Sequence, residues 1–214
     1  MKTGILWDLD GTLLDTLQDL ADGTNYALAQ HGLPERTLEE IRQFVGNGAK
    51  NLIIRAVEGR ADAEAVLETF RPYYNAHCQD KTAPYPGIPA ALEELGKRYP
   101  MAVVSNKPDS AVKPLCDQYF PGIYARGESA DCPRKPAPDM VYKAMEAIGV
   151  DHCIYVGDSE VDVVTAKNAG VPCLSVLWGF RDKDVLVDAG AEYFCETPAD
   201  LPAAIEKIVN EKDW

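Results

Sequence analysis

Apolar positions along this chain fall into two rhythms. Short solid runs of β-favouring residues occupy Gly4 to Trp7, Met101 to Val104, Ile123 to Ala125, Cys153 to Val156 and Cys173 to Leu177. Each is bounded by turn residues and is too short for a helix, so the pattern predicts five strands buried on both faces. Elsewhere apolar residues recur at spacings of three and four, which predicts helices over Pro89 to Lys97, Asp109 to Gln118, Pro138 to Ile148 and Glu160 to Ala169. Alternation of strand and helix in this manner points to βαβ units wound around a parallel sheet. The first two strands break the alternation, because about 90 residues separate Trp7 from Met101. That interval is helical throughout: Thr16 to His31 with a Thr-x-x-Asp capping box from Thr16 and Asp19, then Thr37 to Val45, Ala49 to Val57 and Asp62 to Cys78. The expected architecture is an α/β fold, a Rossmann-like parallel sheet with helices on both faces, plus an inserted α-helical cap. Residues 1–15 and 83–214 would form the core and 16–82 the cap, with the Pro- and Gly-rich Thr82 to Pro89 carrying the chain back.

Charge sharpens this division. The 214 residues carry a net charge of −13 with no basic run, which argues against nucleic-acid binding. Residues 16–82 hold seven Lys and Arg against ten Asp and Glu, a net of −3, which leaves −10 on the rest. The inserted unit is thus the less repulsive face for an anion. The six cysteines are scattered with no C-x-x-C pair, and no apolar run approaches the roughly 20 residues of a membrane span. Free thiols, no membrane and a cytoplasmic setting are the simplest reading.

Candidate chemistry collects just after the apolar runs, where open α/β sheets bind ligands. The first run ends in Asp8-Leu9-Asp10-Gly11-Thr12, the second in Ser105-Asn106-Lys107 and the fourth in Gly157-Asp158-Ser159-Glu160-Val161-Asp162. Arg134-Lys135-Pro136 precedes a helix between the third and fourth strands. Asp8 and Asp10 have strand spacing and leave on one side, while Asp158 and Asp162 are four apart. Four carboxylates so placed repel one another unless a hard divalent cation joins them, and a site that keeps water for a phosphate suits Mg2+. Ser105, Asn106 and Lys135 supply neutral donors and a cation for phosphoryl oxygens. Gly11 either lets backbone N–H groups approach those oxygens or serves as an ordinary turn glycine.

WDLDGTLLDT, VVSNK, RKPAPD and YVGDSEVD, in this order and spacing, resemble the four motifs of the haloacid-dehalogenase superfamily. The helical insert after the first motif resembles the subfamily with an α-helical cap. VGNGAKNLI within it, and WGFR at Trp178 to Arg181, are similar to phosphoglycolate phosphatases. The resemblance implies Asp8 as nucleophile, Asp10 as general acid and then base, and Lys135 as the third catalytic group. It implies Mg2+ held by Asp8, Asp158 and the Asp10 carbonyl, with Asp162 holding the metal's waters. Gly11, Ser105 and Asn106 would contact substrate from the core, and Gly48 and Lys50 from the cap. A second anionic end needs a positive or N–H-rich partner, for which Lys50, Arg55 or the Gly46 to Ala49 backbone are the candidates. The implied activity is Mg-dependent hydrolysis of a small anionic phosphorylated metabolite, 2-phosphoglycolate first, by a monomer or homodimer. Alternatives within the superfamily are a sugar-phosphate mutase, a pyrophosphatase or a nucleotidase. Asp10 stands against a dehalogenase or a phosphonoacetaldehyde hydrolase, although Lys50 keeps the latter in view. Outside the enzymes, a phospho-acceptor signalling module would lack the large insert, and an inactive binding module would have lost at least one of Asp8, Asp10, Lys135 or Asp158.

Overall fold

A computed structural model describes residues 2–212. The chain runs β1 (Thr3–Trp7), β2 (Leu14–Asp15), α1 (Leu17–Gln30), α2 (Leu38–Phe44), α3 (Gly48–Val57), α4 (Ala63–His77) and β3 (Ala83–Pro84). It continues through α5 (Ile88–Gly96), β4 (Met101–Pro108), α6 (Asp109–Tyr119), β5 (Tyr124–Glu128), α7 (Asp139–Ile148), β6 (His152–Gly157) and α8 (Glu160–Ala169). The last elements are β7 (Cys173–Val176), α9 (Lys183–Asp188), β8 (Tyr193–Cys195) and α10 (Leu201–Glu211).

Six strands form one parallel sheet in the order β5-β4-β1-β6-β7-β8. Strand alternation sorts the apolar residues to two faces. Ile5, Trp7, Val103, Ile154 and Val156 join α5, α6 and α10 in one cluster. Leu6, Ala102, Val104, Cys153 and Tyr155 join α7 and α8 in the other. From β1 the chain steps one way through β4 to β5 and then crosses to β6, β7 and β8, so its direction reverses between β1 and β6. A binding crevice is expected at the carboxyl ends of those two strands.

Helices α1 to α4 pack around their own apolar cluster, which includes Leu28, Ile41, Ile53, Leu67 and Phe70. The chain leaves for this unit at β2 and returns at β3, and the two segments pair antiparallel, Leu14 with Pro84 and Asp15 with Ala83. Asp19 reinforces the junction: its carboxylate accepts from Lys81 N at 3.1 Å, Thr82 N at 2.9 Å and Thr82 Oγ1 at 2.8 Å. The capping box expected of Thr16 and Asp19 is therefore absent. Thr16 makes no capping bond and its buried hydroxyl has no protein partner. Such boxes form instead at Thr37 with Glu40 and at Ser159 with Asp162.

The sequence pattern also passed over β8, α9, α10 and the β2–β3 pair. All six cysteines are free thiols, five of them buried. Among the described residues no helix is long and apolar enough to cross a membrane.

Candidate active site

The turn after β1 is built by backbone bonds, with Leu13 N and Leu14 N both donating to Leu9 O at 3.0 Å. It presents Asp8 and Asp10 at the strand edge facing the helical unit. Asp8 Oδ1 accepts from Lys135 Nζ at 2.7 Å, and the same ammonium donates to Asp162 Oδ1 at 2.8 Å and to the Tyr155 hydroxyl at 3.0 Å. Asp158 stands at the end of β6, where its carboxylate accepts from Thr12 Oγ1 at 3.0 Å and Phe180 N at 2.7 Å. Asp162, fully buried, also accepts from Ser159 N and Oγ.

Carboxylate oxygens of Asp8, Asp158 and Asp162 lie within 4.8 Å of one another. Burial, with Asp162 adding its charge, holds the Asp8 carboxyl well above the usual carboxylate range despite the opposing pull of Lys135. The same two causes lift Asp158 to about 7 against the Phe180 N–H and the Thr12 hydroxyl. Burial works against the Lys135 charge, but Asp162 and Asp8 outweigh it and keep the ammonium protonated. The three carboxylates thus share one buried place with a single ammonium between them. The donor set fits a hard divalent cation, because carboxylate oxygens are its preferred ligands and its charge removes their mutual repulsion. Two glycines make room for one of these groups. A Cβ at Gly179 would sit 2.2 Å from Asp158 Cβ, and one at Gly11, whose φ is +87°, would sit 2.4 Å from Asp158 Oδ2.

Asp10 is held apart from this cluster. Its Oδ1 accepts from Lys107 Nζ at 2.8 Å, and that ammonium also donates to the hydroxyl of Tyr74 from α4. Burial disfavours the Lys107 charge, yet Asp10 and Tyr74 more than offset it. Ser105 is buried beside them, its Oγ accepting from Lys107 N at 3.1 Å, which leaves its own proton to donate. A cavity of about 510 Å³ opens above Asp8, Asp10, Ser105, Lys107 and Lys135. Its far wall comes from the helical unit and includes Gly48, Lys50 and Tyr74.

The expected residues thus converge, and the geometry bears on two of their roles. Gly11 N donates to Leu14 O at 2.9 Å, so it does not offer its N–H to an anion, and the residue is glycine because Asp158 approaches it so closely. Asn106 brackets the backbone of Lys135, with Oδ1 accepting from Lys135 N at 2.8 Å and Nδ2 donating to Lys135 O at 3.0 Å. It positions Lys135 rather than binding an anion through a free amide. On the helical side, Lys50 lines the cavity but pairs with Glu64 at 3.2 Å. Arg55 donates to Phe44 O at 2.8 Å and supports the end of α2 instead of facing the cavity.

Sequence reasoning did not assign Lys107, Tyr74, Thr12 or Tyr155. Lys107 had a signal, since it lies two residues after Ser105 and shares its face of the strand. Nor did it assign the grip of the loop after β7. Phe180 is buried in the cluster of α1 to α4, while Arg181 donates to Arg42 O at 2.9 Å, Val45 O at 2.6 Å and Glu160 Oε2 at 2.7 Å. One short loop thus ties Asp158 to the helical unit, and Arg42 adds an ion pair to Asp182 at 2.7 Å.

Comparison with known proteins agrees with this arrangement. The sequence profile of the haloacid dehalogenase-like hydrolases matches residues 5–176. A phosphoglycolate phosphatase of Agrobacterium fabrum (strain C58) is 34% identical over 96% of this chain and 94% of its own length. One from Pseudomonas fluorescens (strain Pf0-1) is 36% identical over 83% of this chain and 70% of its own. A crystal structure from Lactobacillus delbrueckii subsp. bulgaricus, described as a phosphoglycolate phosphatase, superposes with a TM-score of 0.89 at 38% identity and covers 96% of this chain and 99% of that one. A parallel sheet with an acidic cluster at its reversal point, a helical unit inserted after the first strand, and a profile match over most of the length place the chain in the haloacid dehalogenase-like hydrolase family.

Proposed function

We propose that this hydrolase is a Mg2+-dependent phosphatase of small phosphorylated metabolites, with 2-phosphoglycolate its leading substrate. The observation that carries the reading is the separation of two aspartates from one turn. Asp8 lies against Lys135 and the acidic cluster, whereas Asp10 is drawn aside by Lys107 over the cavity. This gives one carboxylate for attack and another for proton transfer.

In this mechanism an Asp8 carboxylate oxygen forms a bond to phosphorus as the ester P–O bond breaks, giving an aspartyl phosphate. Asp10 delivers its proton to the departing oxygen. It then takes a proton from the water that attacks the aspartyl phosphate, releasing inorganic phosphate and restoring Asp8. Lys135 keeps Asp8 in line and balances its charge, while Ser105 donates to a phosphoryl oxygen. Asn106 holds Lys135 through its backbone. Mg2+, held by Asp8, Asp158 and the Asp10 carbonyl with Asp162 behind, would offset charge on the phosphoryl oxygens. Residues 16–82 act as the cap, which closes over the cavity and excludes water with Gly48 and Lys50 at its inner wall. The buried free thiols fit work in the cytoplasm. The enzyme acts as a monomer or homodimer.

A panel of phosphate esters assayed with Mg2+ and with chelator tests the reading. Hydrolysis should need the metal and favour 2-phosphoglycolate. Full activity in chelator overturns the metal role. A tenfold preference for a hexose phosphate or pyrophosphate overturns the substrate while leaving the phosphatase.

A further inference from the structure

Among the described residues, the buried ammonium groups on the cavity wall are those of Lys135 and Lys107. Asp8, Asp162 and Tyr155 each accept one proton of Lys135, which uses all three of its donors. Lys107 donates to Asp10 and Tyr74, which leaves it a third donor. The other cations on the wall, Lys50, Arg71 and Arg134, are less suited to holding a small anion, and Arg71 is exposed to solvent. The Lys50 side chain is 60% exposed and paired with Glu64. The Arg134 side chain is 39% exposed, with Glu128 3.9 Å away.

Distance supports the choice. Asp10 must come within about 3 Å of the ester oxygen to protonate it. Lys107 Nζ is 2.8 Å from Asp10 along the same cavity. Through a shared carboxylate oxygen the ammonium therefore lies within roughly 6 Å of the ester oxygen, the sum of the two hydrogen-bond lengths. A carboxylate one carbon beyond the ester oxygen places its own oxygens about 3 Å along the leaving group, within salt-bridge reach of Lys107.

We propose that Lys107 is the specificity-determining cation of this site, seating an anionic group one carbon away from the ester oxygen while Tyr74 fixes the ammonium from the cap side. This rests on the phosphatase reading and deepens it. The substrate class is the phosphate monoesters of short 2-hydroxy acids, and a neutral ester of the same size would lack this contact.

The test compares kcat/KM for 2-phosphoglycolate and for 2-hydroxyethyl phosphate, a neutral-tailed analogue, in wild type, Lys107→Met, Lys107→Arg and Tyr74→Phe. Taking the ratio of the two esters within each variant makes the result independent of the folded fraction. Wild type should favour the carboxylated ester at least tenfold. Lys107→Met should lower that ratio about tenfold or more, chiefly by raising KM for the carboxylated ester, while both esters share any loss from a looser Asp10. Lys107→Arg should retain the preference and Tyr74→Phe should weaken it. An unchanged ratio in Lys107→Met, or complete inactivity of that variant on both esters, overturns the proposal. So does a wild type that hydrolyses both esters equally, which leaves the phosphatase reading standing. A wild type inert on every ester in the panel instead defeats the phosphatase reading, and this proposal with it.

Discussion

Replacing Arg181 with alanine tests whether the loop after β7 holds the helical unit in register with the sheet. The guanidinium is 5% exposed and joins three oxygens from two elements: Glu160 Oε2 at the start of α8, and Arg42 O and Val45 O at the end of α2. Those carbonyls are the ones a helix leaves unpaired at its C-terminus, so removing the fork orphans them. Breaking a buried ion pair costs about 3–5 kcal/mol. Glu160 is 33% exposed and can be rehydrated, which reduces the expected loss to roughly 2–4 kcal/mol. At about 2–4 °C per kcal/mol for a chain of this size, the melting temperature should fall by roughly 4–16 °C. Val45 and Gly48 line the cavity, so KM should rise several-fold with a smaller change in kcat. Arg181→Lys should recover less than half of the loss, because one ammonium cannot reproduce the planar fork. Calorimetry and steady-state kinetics on the two variants measure both effects. A melting temperature within 2 °C of wild type together with an unchanged KM would refute this bracing role (the threshold is about 0.5–1 kcal/mol for such a chain).

Asp8→Asn should abolish both turnover and any covalent phosphoenzyme, whereas Asp10→Asn should keep residual activity. General acid–base help is typically worth about 10² to 10⁴ in rate; phosphate found covalently attached to Asp8→Asn would contradict the assignment. Gly179→Ala places a methyl group against Asp158 and should weaken divalent-cation affinity about 10–100-fold, read by calorimetric titration, and unaltered affinity would show that the approach of Gly179 to Asp158 is not what shapes the site.

The sheet was legible because burial on both faces leaves a local record. Solid runs such as Cys153 to Val156 can be satisfied only by a central strand, and β6 extends just one residue past that run at each end. The aspartates were legible because strand ends and period two are also local rules. What escaped depends on partners far along the chain. Thr16-x-x-Asp19 and Ser159-x-x-Asp162 carry the same signature, yet only the second becomes a capping box. Asp19 is instead captured by the backbone of Lys81 and Thr82, 62 and 63 residues away. Tyr74 reads as one more apolar position of α4 beside Phe70, and nothing local reveals that its hydroxyl meets Lys107. The three-residue β8, at the sheet edge, offers too short a run to register.

Charge at the strand ends links these parts. Asp8, Asp10, Asp158 and Asp162 face Lys107 and Lys135, so full ionisation leaves a local charge of −2 inside a chain already at −13. Two like charges 4 Å apart cost about 4 kcal/mol at an effective dielectric constant of 20. That repulsion, with burial, is what raises Asp8 and Asp158. A divalent cation would bring the sum to zero and let a phosphate dianion enter without repulsion. Lys107 and Lys135 could not do this alone, because each already answers a carboxylate at 2.7–2.8 Å. A metal bound there first would ease the entry of substrate, and Lys107, where the helical unit meets the sheet, is left to respond to whatever charge the leaving group carries.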